Sequence, residues 1–253
     1  MKIHVLGDAF CDVVVNGLSN IPSWGSGELS SSISHYSGGS ALNTAIQIHS
    51  LLATTMEVKS NCSRNEIYEQ VVMFTALGED EQDIASQVIQ KSVKLSQINL
   101  KATRIKNQPT GTCVVLSGLR DRAFLTCAGA IRYYSIEHLD FEELSSCDHL
   151  HLGGMFSLRS LTSHLHTKII PTLLKKNPGL TISLDTNSDD SNGDWGASWL
   201  LPTLPLINVL KMNEYEAQAC QAYLAKNESE QNIDVVTWFA SQVREVAIIT
   251  YGK

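Results

Sequence analysis

Gly38-Gly39-Ser40-Ala41-Leu42-Asn43 joins two sequence patterns of different kinds. Glu28–Tyr36, before this stretch, predicts a short strand, and Asn43–Leu52 carries apolar residues at the spacing of a helix. Paired glycines allow backbone N–H groups to approach a ligand, and Asn43 supplies a donor and an acceptor in the first helical turn. A glycine pair at a helix start can also be only a cap, so its meaning depends on the rest of the chain.

Strand and helix patterns alternate along most of the sequence. Apolar, β-branched runs predict strands at Ile3–Leu6, Val71–Leu77, His149–Leu152, Thr181–Leu184, Ile207–Leu210 and Val246–Thr250. Amphipathic runs predict helices at Asn43–Leu52, Gln82–Ser92, Ser160–Leu174, Glu214–Leu224 and Val235–Val243, with Asn213 as the cap of the fourth. The alternation predicts an α/β fold in which helices cover a central, mostly parallel sheet.

A second set of short strands has no helices between several of its members. These strands are predicted at Val13–Asn16, Glu28–Tyr36, Lys101–Ile105, Thr112–Ser117 and Ala123–Cys127, with a hairpin turn at Ser117–Arg122. We expect them to form a small sheet, within residues 12–36 and 101–127, that covers the crevice at the carboxyl ends of the main strands. The polar, patternless residues 54–69 predict a surface loop.

The composition is that of one globular domain spanning residues 1–253. The formal net charge of -7 and the lack of a Lys/Arg run argue against nucleic acid as a partner. The six cysteines are scattered without zinc-type spacing, which favours reduced thiols, and no apolar run has membrane-spanning length. We therefore predict a cytoplasmic protein without a membrane partner.

The first predicted strand leads into Gly7-Asp8-Ala9-Phe10-Cys11-Asp12. Asp12 lies where the chain is expected to pass from the main sheet into the small one. A carboxylate there can accept two hydrogen bonds from neighbouring sugar hydroxyls. A plain turn residue is the alternative reading of Asp12 by itself.

Taken together, these motifs resemble the ribokinase-like (PfkB) family of carbohydrate kinases. Gly38-Gly39-x-x-x-Asn43 is similar to the family's N-terminal signature, and Gly7 to Asp12 resembles the strand end that precedes it. Further short matches follow in the family's order: Gly78-Glu79-Asp80, Thr110-Gly111, Gly129-Ala130, Asp185-Thr186-Asn187, Asn213-Glu214-x-Glu216 and Thr250-x-Gly252.

The resemblance implies a three-layer αβα fold with a small β-sheet lid and a kinase that uses ATP and Mg²⁺. It implies that the hydroxyls of a sugar or nucleoside are bound by Asp12, Gly38, Gly39 and Asn43. It places Asp185, Asn187, Asn213, Thr250 and Gly252 near the nucleotide and its phosphates, and Glu216 at the magnesium ion. An Asx-turn for Asp185 and Asn187, and a simple cap for Asn213, stay open as alternatives. The lid strands of the family also suggest a possible homodimer.

The sequence departs from the family pattern in three places. Many relatives carry another glycine after Gly78-Glu79-Asp80, where this sequence has Asp83. Gly153-Gly154 replaces a polar or acidic substrate contact of some relatives, so the substrate need not be ribose. The family's Gly-Ala-Gly-Asp motif, which forms an anion hole and supplies the general base, is expected beyond Lys253, so the C-terminal part of the fold is expected to be missing. No catalytic base is therefore assigned, and the chain as given is expected to be poorly active or inactive.

Two other hypotheses stay open beside the kinase. One is a non-catalytic sugar-binding or interaction protein derived from the same fold, and the other is a non-functional remnant. A dinucleotide-binding enzyme is set aside because no Gly-x-Gly-x-x-Gly follows the first strand.

Overall fold

The computed structural model describes residues 1–59, 70–80, 82–118, 121–187, 196, 198–227 and 234–251. Their strands are β1 (Ile3–Gly7), β2 (Phe10–Leu18), β3 (Ser32–Gly38), β4 (Val71–Gly78), β5 (Asn99–Ile105), β6 (Thr112–Gly118), β7 (Arg122–Cys127), β8 (His149–Gly153), β9 (Thr181–Asp185), β10 (Val209–Asn213) and β11 (Val246–Thr250). Seven of these form a sheet in the order β11-β10-β9-β8-β1-β4-β5, in which every pairing is parallel. The predicted parallel α/β fold is confirmed.

Helices cover the main sheet on both faces. They are α1 (Ser40–Lys59), α2 (Ile84–Leu95), α3 (Phe141–Ser145), α4 (Arg159–Thr162), α5 (Ile170–Lys176), α6 (Leu200–Thr203), α7 (Glu214–Asn227) and α8 (Val235–Gln242). One buried cluster joins Ala41, Leu42 and Ala45 of α1 to the strands β1 and β4, and a larger cluster fills the opposite face. β4 is buried at every position, as its unbroken apolar sequence requires when both faces of a parallel strand are covered.

The small sheet has the order β3-β2-β6-β7. β2 pairs antiparallel with β3 and parallel with β6, and β7 completes a hairpin with β6. β2 starts three residues after β1 ends, so the chain passes directly from the main sheet into the small one. The prediction of a separate small sheet from the N-terminal and central strands is correct. The centre of the predicted hairpin turn lies outside the described residues.

The assignment of Lys101–Ile105 to the small sheet was wrong. This segment belongs to β5, which pairs in parallel with β4 along Val72–Gly78 at the edge of the main sheet. The chain reaches β5 from β4 through α2, which is a βαβ crossover. The misassignment arose because no helix separates β5 from β6, so the strand resembled its successors.

Other element boundaries also differ from the predictions, and three of these differences have a physical reason in the structure. Residues 54–59 continue α1 rather than forming a loop, because the hydroxyls of Thr54 and Thr55 donate to the carbonyls four residues earlier and remain compatible with a helix. The rest of the predicted loop lies outside the described residues. The helix predicted at Ser160–Leu174 is interrupted by a π-helical turn before Pro171, whose ring nitrogen has no hydrogen to donate. β10 begins two residues later than predicted because Ile207 closes a 3₁₀ turn.

Among the described residues, no helix combines the length and the apolar character needed to cross a membrane.

Candidate active site

The carboxyl ends of the central strands meet at one edge of the main sheet, since all of the strands are parallel. Gly7 of β1 lies beside Gly153 of β8, Gly153 beside Asp185 of β9, and Asp185 beside Lys211 of β10. The chain leaves the sheet from Gly7 toward β2 and returns at Gly38-Gly39 into α1. The small sheet and the start of α1 are therefore attached to this edge, where ligands bind in open α/β sheets.

The Gly38-Gly39 turn lies directly against Asp12. A Cβ atom at Gly38 would come within 2.1 Å of Asp12 Oδ2, so only glycine leaves room for this carboxylate. Gly39 has a φ of 98° and lies so close to the Asp8 carbonyl that a Cβ atom would be 2.8 Å from its oxygen. Asn43 follows in the first turn of α1, where its N–H donates to the Gly39 carbonyl and its side chain is exposed. Asp12 and Gly38 are thus in direct contact, Gly39 lies against the Asp8 carbonyl, and Asn43 lies one turn away.

Asp12 is a half-buried carboxylate of β2, with Tyr36 and Cys113 as its neighbours on the adjacent strands. Burial raises the pKa of Asp12 above its usual range, because the charged form loses hydration. A hydroxyl donor from a ligand would restore part of that lost hydration.

Asp185 ends β9 inside the crevice and is only 6% exposed. Lys211 Nζ of β10 binds its Oδ2 at 2.7 Å, and the Ser40 hydroxyl of α1 donates to the same oxygen at 3.4 Å. The Lys211 side chain is half-exposed. Lys211 was not predicted as a site residue, although a lysine in a short apolar strand is a visible signal.

Asp8 was not predicted as a site residue, yet it is the most enclosed carboxylate of this edge, at 1% exposure. Its Oδ1 accepts the N–H of Ala41 at 2.9 Å, and its Oδ2 accepts the side-chain amide of Asn187 at 3.3 Å. Burial raises the pKa of Asp8 to about 7, with a smaller contribution from the charge of Asp185. The Asn187 backbone has a φ of 61°, a conformation that asparagine tolerates better than most residues.

Asn213 and Glu216 form a reciprocal cap at the start of α7. Asn213 Oδ1 accepts the Glu216 N–H at 2.8 Å, while Glu216 accepts the Asn213 N–H at 2.9 Å and its side-chain amide at 2.7 Å. The predicted cap is confirmed. Glu216 is 5% exposed, and burial raises its pKa.

The acidic groups near Glu216 suit a magnesium ion only in part. Glu216 and Thr186 offer oxygen donors, the Thr186 hydroxyl lies 3.5 Å from Glu216 Oε2, and the charge of Asp185 also raises the Glu216 pKa. No group of three His, Cys, Asp or Glu residues with metal-binding geometry occurs within the described ranges. These donors fit an ion that keeps water and phosphate oxygens as most of its ligands, as Mg²⁺ does beside a nucleotide.

The last two predicted residues lie at the outer strand. Thr250 of β11 is paired with Asn213, and its hydroxyl lies 3.4 Å from the Met212 carbonyl. Thr250 is therefore a neighbour of the capped start of α7. Gly252 lies outside the described residues.

Replacing Asn213 by alanine should lower the free energy of unfolding by about 2 kcal/mol, because the cap is lost and the buried Glu216 carboxylate loses a donor. Urea unfolding at pH 7 measures this change. The matched control is Asp234→Ala, which removes the exposed cap of α8 and leaves no buried charge behind. Equal losses for the two variants would contradict the buried role of the Asn213–Glu216 pair.

A model of the family described as "pfkB family carbohydrate kinase" matches residues 2–253. A search among curated protein sequences gives no match.

Solved structures share the fold at low sequence identity. Ribokinase from Giardia lamblia has a TM-score of 0.70 at 16% identity, over 99% of this chain and 69% of that one. Arabidopsis thaliana ribokinase, complexed with ribose and ATP, has a TM-score of 0.68 at 17% identity, over 99% of this chain and 72% of that one. Fructokinase with bound ATP from Xylella fastidiosa has a TM-score of 0.65 at 18% identity, over 99% of this chain and 72% of that one. The architecture is that of the ribokinase-like fold.

Proposed function

The chain belongs to the pfkB family of carbohydrate kinases, and from this membership we propose that it takes part in transferring the γ-phosphoryl group of ATP to a hydroxyl of a small sugar, related polyol or nucleoside. One observation carries the proposal beyond the family assignment. The first turn of α1 contacts both halves of the edge, because its entry turn touches Asp12 while its Ser40 hydroxyl is within 3.4 Å of Asp185. Sugar-binding and phosphate-binding chemistry are thus adjacent.

The sugar is proposed to bind at Asp12, Gly38, Gly39 and Asn43. Asp12 would accept hydrogen bonds from two hydroxyls, and the absence of side chains at Gly38 and Gly39 would let the sugar approach the backbone. The exposed Asn43 side chain would supply a further donor and acceptor. Such contacts identify a polyhydroxylated ligand but do not distinguish one sugar from another.

The phosphates are proposed to lie along the ends of β9, β10 and β11. Phosphoryl transfer depends mainly on positioning and on neutralising the charge of the transferring group. Lys211, with a half-exposed ammonium group, is the cation best placed for this among the described residues of the edge. Asp185, Asn187, Asn213, Thr250 and Gly252 are the remaining proposed nucleotide contacts.

Glu216 is proposed to hold Mg²⁺, directly or through water. When bound, the ion would supply positive charge that offsets the negative charge of the phosphates. A nearby cation would favour the ionised form of Glu216, whereas burial raises the Glu216 pKa and favours the protonated form.

The test is to incubate the protein with Mg²⁺, ATP and each of several sugars, including D-ribose and D-fructose, and to measure both ADP and sugar phosphate. Sugar-dependent ADP formation with matching sugar phosphate would support the proposal. Saturable sugar binding by calorimetry without turnover would favour the sugar-binding protein. If the protein neither binds nor phosphorylates any sugar or nucleoside, the kinase and the sugar-binding protein are both ruled out.

Substituting Asp12 by alanine should weaken sugar binding roughly 10- to 100-fold, because a hydrogen bond to a charged group contributes about 1.5–3 kcal/mol. Calorimetric titration with whichever sugar binds the parent protein measures the change. Asp121→Ala, in an exposed turn of the same small sheet, is the control and should bind as the parent does. Unchanged affinity in Asp12→Ala would exclude Asp12 from the sugar site.

Three further features stay predictions. Residues 1–253 are proposed to form one kinase domain, and the location is predicted to be cytoplasmic. A homodimer through the small sheet is also proposed, and the exposed apolar side chains of Ile33, Phe124 and Leu125 on its outer strands are compatible with it.

A further inference from the structure

The Asp8 carboxylate contacts three separate turns at the edge of the sheet. It accepts hydrogen bonds from Ala41 in α1 and from Asn187 after β9. The third turn is at Gly154, where a Cβ atom would lie 2.2–2.4 Å from the carboxylate atoms. Because the three turns come from distant parts of the chain, this one side chain fixes their mutual distances.

The contacts on the α1 side involve the backbone of Asp8 as well. Its carbonyl accepts the Leu42 N–H at 3.2 Å, and the positive φ of Gly39 brings that glycine against the same carbonyl. Asp8 therefore holds the turn that carries Gly38 and Gly39 and leads to Asn43. Its other carboxylate oxygen holds Asn187, one of the proposed phosphate contacts.

Among the residues that the structure describes, no positively charged group is in contact with the Asp8 carboxylate. The charged groups that face it are Asp12 from β2 and Asp185 from β9, and both are negative. The contacting residues of α1 and of the Gly153-Gly154 turn carry no charge, and the nearby Lys211 is bound to Asp185. Ionisation of the buried Asp8 carboxylate therefore lowers the stability of the folded protein. Its contribution is structural, because it holds the three turns in one arrangement.

We propose that Asp8 is a positioning residue, whose carboxylate holds the sugar-side turn of α1 and the phosphate-side turn after β9 in a single arrangement. The proposal rests on the proposed function, since it assigns no contact between Asp8 and the substrate. It gives a role to a residue that lies within the Gly7-to-Asp12 motif but was not among the predicted site residues.

The protonation state of Asp8 gives this role a distinctive signature. The Asn187 amide presents a donor to Asp8 Oδ2, so the bond needs an acceptor at that oxygen. If the Asp8 carboxyl group is protonated, its O–H is a donor that faces the Asn187 amide, which is also a donor. The side-chain NH₂ of an Asp8→Asn variant produces the same contact between two donors. The parent protein at low pH should therefore behave like the variant.

The test compares the parent protein with Asp8→Asn and with Asp148→Asn, an exposed control at the opposite end of β8. At pH 8 we expect Asp8→Asn to bind D-ribose, or another sugar that the parent binds, roughly 10- to 100-fold more weakly. Amide exchange at Ala41, whose N–H donates to the carboxylate, and at Leu42 in the same turn should be about 10-fold faster, because the contact between two donors at Asn187 displaces the side chain that holds this turn. The Asp148→Asn control should match the parent in both measurements.

Two further measurements separate positioning from a general loss of structure. The sugar affinity of the parent should fall as the pH decreases through about 7, the pKa of Asp8, while the affinity of Asp8→Asn shows no such step. Adding Asn187→Asp to Asp8→Asn reverses the donor and acceptor and should restore slow exchange at Ala41 and Leu42.

Parent-like sugar affinity and parent-like exchange in Asp8→Asn would overturn the proposal. If the parent binds no sugar at any pH, the proposed function fails instead. The exchange rates of Ala41 and Leu42 then decide the role of Asp8 alone, and unchanged rates in the variant would overturn it.

Discussion

Replacing Gly154 by alanine is expected to lower the free energy of unfolding by about 4 kcal/mol. Gly154 has a φ of 65°, and a non-glycine residue in that conformation costs about 1–2 kcal/mol. The new Cβ atom would also lie 2.2 Å from Asp8 Cγ, in a place where the surrounding atoms are buried. Overpacking of this kind adds about 1–3 kcal/mol.

Urea unfolding at pH 7 measures the effect, and Gly25→Ala provides a matched control. Gly25 also has a positive φ, of 83°, but an added Cβ atom would meet nothing within 4 Å. The control should therefore lose only the conformational part, about 1 kcal/mol. Losses of the same size at both positions would show that the contact with Asp8 has no energetic weight.

The Asp8→Asn variant should gain stability relative to the parent protein as the pH rises. In the folded protein the pKa of Asp8 is about 7 rather than the usual 3.8, so the folded state holds its proton more tightly than the unfolded state. The parent consequently loses stability as the pH rises from 4 to 7, by about 4 kcal/mol in total. The asparagine does not titrate and avoids this loss.

The prediction concerns the difference between the two proteins, because histidines act in the opposite direction. Burial lowers the pKa of His4 and of His151 to about 4, so both contribute stability above pH 6.5 that is lost as the pH falls toward 4. These contributions are common to the parent and to Asp8→Asn and cancel in the difference. Urea unfolding of both proteins between pH 4 and pH 8 measures it, and a constant difference would contradict a raised pKa for Asp8.

Much of the fold could be predicted because parallel strands covered on both faces have continuous apolar sequences. β11 was predicted to the residue, and β1, β4, β8 and β9 each ended one residue later than expected. The sequence did not reveal that β5 joins the main sheet, since a strand pattern does not specify its partner. It also did not reveal that α1 continues past residue 54, where threonine hydroxyls donate hydrogen bonds to carbonyl groups of the same helix.

The candidate site could be predicted only where it follows local motifs. The Asp12, Gly38 and Gly39 cluster was found because each residue lies beside a strand end or a helix start. Asp8 was missed because its burial depends on Gly154 and Asn187, which are distant in sequence. Lys211 could have been found from the alternation of β10, which places it on the same face as Asn213.

The central position of β1 has a consequence for folding of the chain during synthesis on the ribosome. Ile3 is synthesised 146 residues before His149, its partner in β8. At about 5–20 residues per second, the first strand waits roughly 7–30 s for that neighbour to be made. During that interval an apolar nascent segment has an unpaired edge, so its early handling by chaperones should influence how much protein reaches the folded state.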